Sequence, residues 1–133
     1  METASKAAGG RRKTPLEKDI QRDIADWLRL NQFLFWRSNN FPAMGRIGAG
    51  GEMRFRSMPK DTPRGLPDLM IIKDGVFIGI EVKREGNKLR PEQADFGMRL
   101  VQHGAKYHVV HSLAEFLALP FLEGFKPLYS KAP

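Results

Sequence analysis

The segment Asp68–Lys83 constrains this chain more than any other. Two β-rich runs, Asp68–Lys73 and Val76–Lys83, are separated by Asp74-Gly75. An Asp-Gly pair between such runs is the strongest short-range hairpin signal, because the tight turn needs positive φ at both central residues. With a two-residue loop, Lys73 pairs with Val76 and Asp68 falls directly opposite Glu81. A four-residue loop would keep that pairing and a three-residue loop would break it. Side chains alternate along a strand. Lys83 therefore shares a face with Glu81, while Val76, Ile78, Ile80 and Val82 point the other way, into a core.

Two carboxylates opposed on a sheet have Cβ atoms about 4.5–5.5 Å apart and repel unless something neutralises them. A divalent cation does so, and carboxylate oxygens are the ligands Mg²⁺ prefers. A metal with open positions polarises a phosphate and activates water. A lysine beside it can orient that water or help deprotonate it. Asp68, Glu81 and Lys83 on one face therefore point to phosphodiester hydrolysis. The same pattern also describes a solvated face on which Lys83 simply neutralises two acids.

Thr14-Pro15-Leu16-Glu17 carries the marks of a helix start, with Thr at the N-cap, Pro at N1 and Glu at N3. Leu16, Ile20, Ile24, Trp27, Leu28 and Asn31 follow at helical spacing. At about 100° per residue, Glu17 falls within about 20° of Ile24 and Leu28. An inward carboxylate needs a partner: Thr14 through a capping box, a metal site as its third carboxylate, or both. Gln21, one turn on, edges the same face. Pro91 opens a second helix that runs to about His103 and stops at Gly104. Its inner face is expected at Ala94, Gly97, Met98 and Val101, bordered by Gln93 near the N-terminus, where anions are favoured. There Gln93 either touches a water or a phosphate oxygen, or is an ordinary N-terminal polar residue.

Phe33–Ser38 and Lys106–His111 read as strands, and one short strand is expected near Glu52–Ser57 within the long Gly/Pro/Arg-rich region 39–67. Ser112-Leu113-Ala114-Glu115 is a second capping box, opening a short helix that Pro120 ends. The order α-β-(β)-β-β-α-β-α is that of an α/β fold with a mixed sheet flanked by helices. Residues 1–13, ending in Arg11-Arg12-Lys13, read as a disordered basic arm. Residues 14–119 read as the folded domain. Residues 120–133 read as an apolar tail that folds back on its own core or joins a partner.

At 133 residues the chain supports one domain with one core. It has no cysteine, which excludes disulfides, thiolate zinc sites and a cysteine nucleophile. No apolar run is long enough to span a bilayer, and the first fourteen residues hold no signal-peptide core, so a cytoplasmic location is expected. Lys and Arg number 22 against 15 Asp and Glu, a net charge of +7. Such a balance favours polyanions, nucleic acid ahead of membrane surfaces. Residues 37–66 hold Arg37, Arg46, Arg54, Arg56, Lys60 and Arg64 against Glu52 and Asp61, and Arg84, Lys88 and Arg90 extend the patch. That suits a phosphate backbone, or a solvated loop. Gly45–Gly51 has no Gly-Lys-Ser/Thr and no GxGxxG leading into a helix, so no nucleotide cofactor is expected. Phe41 and Met44 either pack or wedge at a DNA junction. His108 and His111 lie at strand spacing on opposite faces and are not expected to share a metal. His103 reads as a helix-end residue.

Gly65-Leu66-Pro67-Asp68-Leu69, Ile80-Glu81-Val82-Lys83 and Leu89-Arg90-Pro91-Glu92-Gln93, in that order, resemble the virus-type replication-repair nuclease (VRR-NUC) family of the PD-(D/E)XK nuclease superfamily. Pro67-Asp68 matches the PD element and Glu81-Val82-Lys83 matches ExK. Gln93 and Glu17 match the family's downstream glutamine and helix-1 glutamate. The resemblance covers about residues 14–115. Arg90 departs from it, standing where members often carry a small helix-capping residue. The resemblance implies a restriction-endonuclease-like fold and a Mg²⁺- or Mn²⁺-dependent DNA endonuclease. It implies metal binding by Asp68, Glu81 and the Val82 carbonyl, completed or supported by Glu17, with Lys83 positioning the attacking water and Gln93 assisting. It further implies likeness to Holliday junction resolvases, a homodimer acting on branched DNA, and a phage or prophage origin. Two other classes remain open: a non-catalytic nucleic-acid-binding module on the same fold, and a dimeric scaffold using the apolar tail.

Overall fold

The computed structural model describes residues 14–38, 43–47, 52–56 and 60–129, with only the main chain described in the two short segments. The elements run α1 (Glu17–Leu30), β1 (Leu34–Arg37), β2 (Ala43–Ile47), β3 (Glu52–Arg56), β4 (Leu69–Lys73), β5 (Val76–Val82), α2 (Pro91–Gln102), β6 (Lys106–Val110) and α3 (Leu113–Leu117). A 3₁₀ turn, Pro120–Leu122, follows. Four strands form a mixed sheet in the order β1-β4-β5-β6, with β1, β4 and β5 antiparallel and β6 parallel to β5. A parallel neighbour requires a crossover, which α2 provides. This is an α/β, restriction-endonuclease-like architecture.

Asp74 and Gly75 take φ values of 53° and 80°, the left-handed pair of a two-residue hairpin. Lys73 pairs with Val76 and Leu69 with Ile80, the expected register. The second, two-stranded sheet pairs Ala43–Ile47 with Glu52–Arg56. The sequence reading found only the latter strand, because Gly45 and Arg46 obscure the β signal of the former.

One face of the main sheet carries the core. Leu69, Ile71, Ile78, Ile80, Val82 and Val110 pack against Ile20, Ile24, Trp27 and Leu28 of α1 and Phe116 of α3. Ser112 caps α3 as expected, accepting from Glu115 N. Glu115 turns its carboxylate to the His111 main chain and ring instead of closing the box. Pro120 ends the helix by opening the 3₁₀ turn, and the following segment returns to the core. Leu122 is buried, and Phe125 meets Trp27 edge-on and Phe33 at a tilt. Asn31, capping the C-terminus of α1, donates to the carbonyls of Trp27 and Tyr129 and accepts from Leu128 N and Tyr129 N. Among the described residues no helix is long and apolar enough to cross a membrane.

Two helix expectations are corrected. Helix α1 starts at Glu17, with Leu16 at the N-cap and no side-chain cap, so the Thr14 box is not made. The Glu17 carboxylate is drawn to another part of the chain, as described below. On α2, Gln93 and Gly97 are the buried positions, whereas Ala94, Met98 and Val101 are exposed. The rotation of α2 is set by a close approach, not by its apolar count. A Cβ on Gly97 would lie 2.4 Å from the Tyr107 ring, so only glycine lets the helix settle there.

Candidate active site

The second face of the sheet carries the candidate residues Asp68, Glu81 and Lys83. Hairpin register sets Asp68, just before β4, opposite Glu81 of β5. Two contacts anchor the approach to Asp68 beside β1: Ser38 N donates to the Asp68 carbonyl, and Ser38 Oγ to that of Pro67. Pro67 packs over Gly79, where a Cβ would lie 2.7 Å from the Pro67 ring. Gly65, at φ +78°, lets the same loop touch the first turn of α2.

Asp68 Oδ2 accepts the Val82 N–H at 2.8 Å, and its carboxyl lies against that of Glu81. Glu81 is only 1% exposed. Its Oε2 receives Gln93 Nε2 at 2.8 Å. Its Oε1 is buried and has no hydrogen-bond partner among the described residues. Burial, then the charge of Asp68, pushes Glu81 up to about 9. Burial also raises Asp68, while the Val82 N–H pulls it back. Two acids forced together in a poorly solvated place resist ionising together. Lys83 is 7% exposed, and its positive charge favours the ionised form of both acids. A solvated face with loose charges is therefore not what the fold builds.

Gln93 does more than border the site. Its Oε1 accepts Arg90 N–H at 2.8 Å while its Nε2 holds Glu81, so one side chain caps α2 and binds the acid. Arg90, the departure from the family pattern, serves this cap through its main chain. Glu17 stands at the start of α1, and its Oε2 accepts from Arg84 N at 3.2 Å and Asn87 Nδ2 at 3.0 Å. It thereby ties α1 to the segment after β5, and its charge is felt at Asp68. Gln21 is taken up by Arg37.

The acidic and histidine side chains that converge in threes to within 4.8 Å, among the described residues, are Glu85, His111 and Glu115. Glu17, Asp68 and Glu81 do not close that tightly. His108 belongs to neither group. It stacks on Phe121, and burial lowers its affinity for a proton. His103 Nδ1 sits 2.8 Å from the Arg99 carbonyl at the end of α2, as a helix-end residue.

Of the expected DNA-facing residues, Lys60, Arg64, Lys88 and Arg90 are exposed and Arg84 is half-buried. Arg90 pairs with Glu92 at 3.2 Å. The side chains of Arg46, Arg54, Arg56 and Met44, along with Phe41 and the basic arm 1–13, lie outside the described residues. Tyr107 escaped the sequence reading. Its only sequence signal is a strand tyrosine ten residues after a mid-helix glycine.

A comparison with protein families matches residues 16–114, well over half of the chain, to the VRR-NUC domain. The chain belongs to the VRR-NUC family. Searches of curated proteins and of solved structures found no match. VRR-NUC is a nuclease family.

Proposed function

We propose that this VRR-NUC protein is a divalent-metal-dependent DNA endonuclease that hydrolyses phosphodiester bonds in branched DNA, in the manner of a Holliday junction resolvase. It would act as a homodimer in the cytoplasm of a bacterial or phage-infected cell. One observation carries the chemistry: a buried Glu81 oxygen with no donor among the described residues, beside the Asp68 carboxyl and the Lys83 charge. Burying an acceptor without a partner is costly. Hard carboxylate oxygens are what Mg²⁺ and Mn²⁺ take, so the residues present fit such an ion.

Asp68, Glu81 and the Val82 carbonyl would hold it, with Glu17 completing or supporting the set. A bound ion there supplies charge neutralisation and polarisation of the scissile phosphate. Gln93 fixes the Glu81 carboxylate. Lys83 holds the attacking water and stabilises charge on the phosphoryl oxygens as the water oxygen bonds to phosphorus and the leaving oxygen departs. Arg46, Arg54, Arg56, Lys60, Arg64, Arg84, Lys88 and Arg90 would grip the backbone on either side, which lends affinity without base readout.

The test compares labelled duplex, fork, flap and four-way junction in Mg²⁺, Mn²⁺ or chelator, together with the solution mass. Metal-dependent cutting of the junction is expected, lost in Lys83→Ala while DNA binding persists. If the wild type cuts none of these substrates and Asp68→Ala binds DNA equally well, the fold is a binding module instead.

A further inference from the structure

β6 sets Tyr107 beside Gly79 of β5, two residues before Glu81 and on the same face of the sheet. Its ring passes beneath α2 at Gly97, one turn beyond Gln93. The hydroxyl at its end is buried and lacks a hydrogen-bond partner among the described residues, as does Glu81 Oε1. Burial raises the phenol above its ordinary value, and the charges of Glu81 and then Asp68 raise it further. One is an open donor and the other an open acceptor, and buried groups of this kind rarely stay apart in a folded protein.

We propose that Tyr107 is a positioning residue for the metal site: its hydroxyl donates to Glu81 Oε1 through one water. With Gln93 on Oε2, both oxygens of Glu81 are then oriented, and each keeps a lone pair for the ion. The inference rests on the reading of Asp68 and Glu81 as ligands. Carboxylates that bind metal are themselves held by hydrogen bonds, and losing such a partner costs about 10–100-fold in metal affinity. The ring packs on Gly97 independently of its hydroxyl, so Tyr107→Phe removes the donor and keeps the packing.

The test titrates Mn²⁺ alone into the full chain calorimetrically, for wild type, Asp68→Ala and Tyr107→Phe, with thermal melts of each in chelator. The wild type should bind Mn²⁺ and Asp68→Ala should not. Tyr107→Phe should bind about tenfold or more weakly yet stay folded and melt cooperatively in chelator, since the ring still packs on Gly97. Equal affinity in Tyr107→Phe and wild type overturns this inference and leaves the nuclease reading standing. A wild type that binds no Mn²⁺ overturns both. Should Tyr107→Phe not fold, ¹³C-labelled tyrosine in the wild type decides, because Tyr129 is the only other tyrosine. The Tyr107 ring signal should move on Mg²⁺ saturation while that of Tyr129 stays, and an unmoved Tyr107 signal overturns the proposal.

Discussion

Gln93 Nε2 lies 2.8 Å from Glu81 Oε2, and the other end of the same amide accepts the Arg90 N–H at 2.8 Å. A main-chain N–H can only donate, so Arg90 determines which end of the amide faces the acid. The N-terminus of α2 thereby orients Glu81. Gln93→Leu keeps the bulk and removes the donor. It should slow single-turnover cleavage at saturating Mg²⁺ by about 10–100-fold, and Gln93→Glu, which sets a third acid against Glu81, should do worse. A wild-type rate in Gln93→Leu would make the contact purely structural.

The acid pair also predicts how stability follows pH. Glu81 is raised from 4.5 to about 9 in the folded chain. A carboxyl raised on folding favours the native state below its unfolded value, and that contribution is lost as pH climbs through the folded value. In chelator, unfolding free energy should therefore fall between about pH 4.5 and 9, by at most about 1.4 kcal/mol per pH unit for the one proton involved. The slope belongs to the Asp68–Glu81 pair. Urea denaturation across this range should show Glu81→Gln flattening it, whereas Mg²⁺ should bind more tightly as pH rises, because binding expels the proton. An unchanged slope in Glu81→Gln would assign it to other groups.

Gly65 joins the PD loop to α2. A Cβ there would lie 2.2 Å from the Glu92 carbonyl oxygen, at a φ of +78°. Gly65→Ala should destabilise the protein by about 2–4 kcal/mol, from left-handed strain together with overpacking. Since Gln93 follows Glu92, cleavage should fall even at temperatures where the variant remains folded. Chemical denaturation and single-turnover rates on one preparation separate the two effects.

Much of the site was legible because its register is local. Asp74-Gly75 specifies a turn, the turn specifies the pairing, and alternation then puts Glu81 and Lys83 on one face. The inward aim of Glu17 was also visible, from helical geometry. Its partner was not: the Arg84 N–H and Asn87 side chain lie 67 and 70 residues away, and the nearby Thr14 offered a box that the fold declined.

The chain's own pattern of turn residues, alternation and helical spacing determined the strands of the main sheet, how the hairpin pairs and which acids oppose each other, since these follow from short-range backbone sterics. Tertiary structure alone decided how α2 is turned, whether Gln93 meets Glu81, where Tyr107 ends, and that Asn31 fastens the segment at Leu128 and Tyr129. Each of these depends on close approach between segments far apart in the chain. A Gly97 that admits a ring and an Asn31 amide that finds remote main-chain partners leave no periodic trace in sequence, because what selects them is the space and the hydrogen-bonding groups that another segment presents.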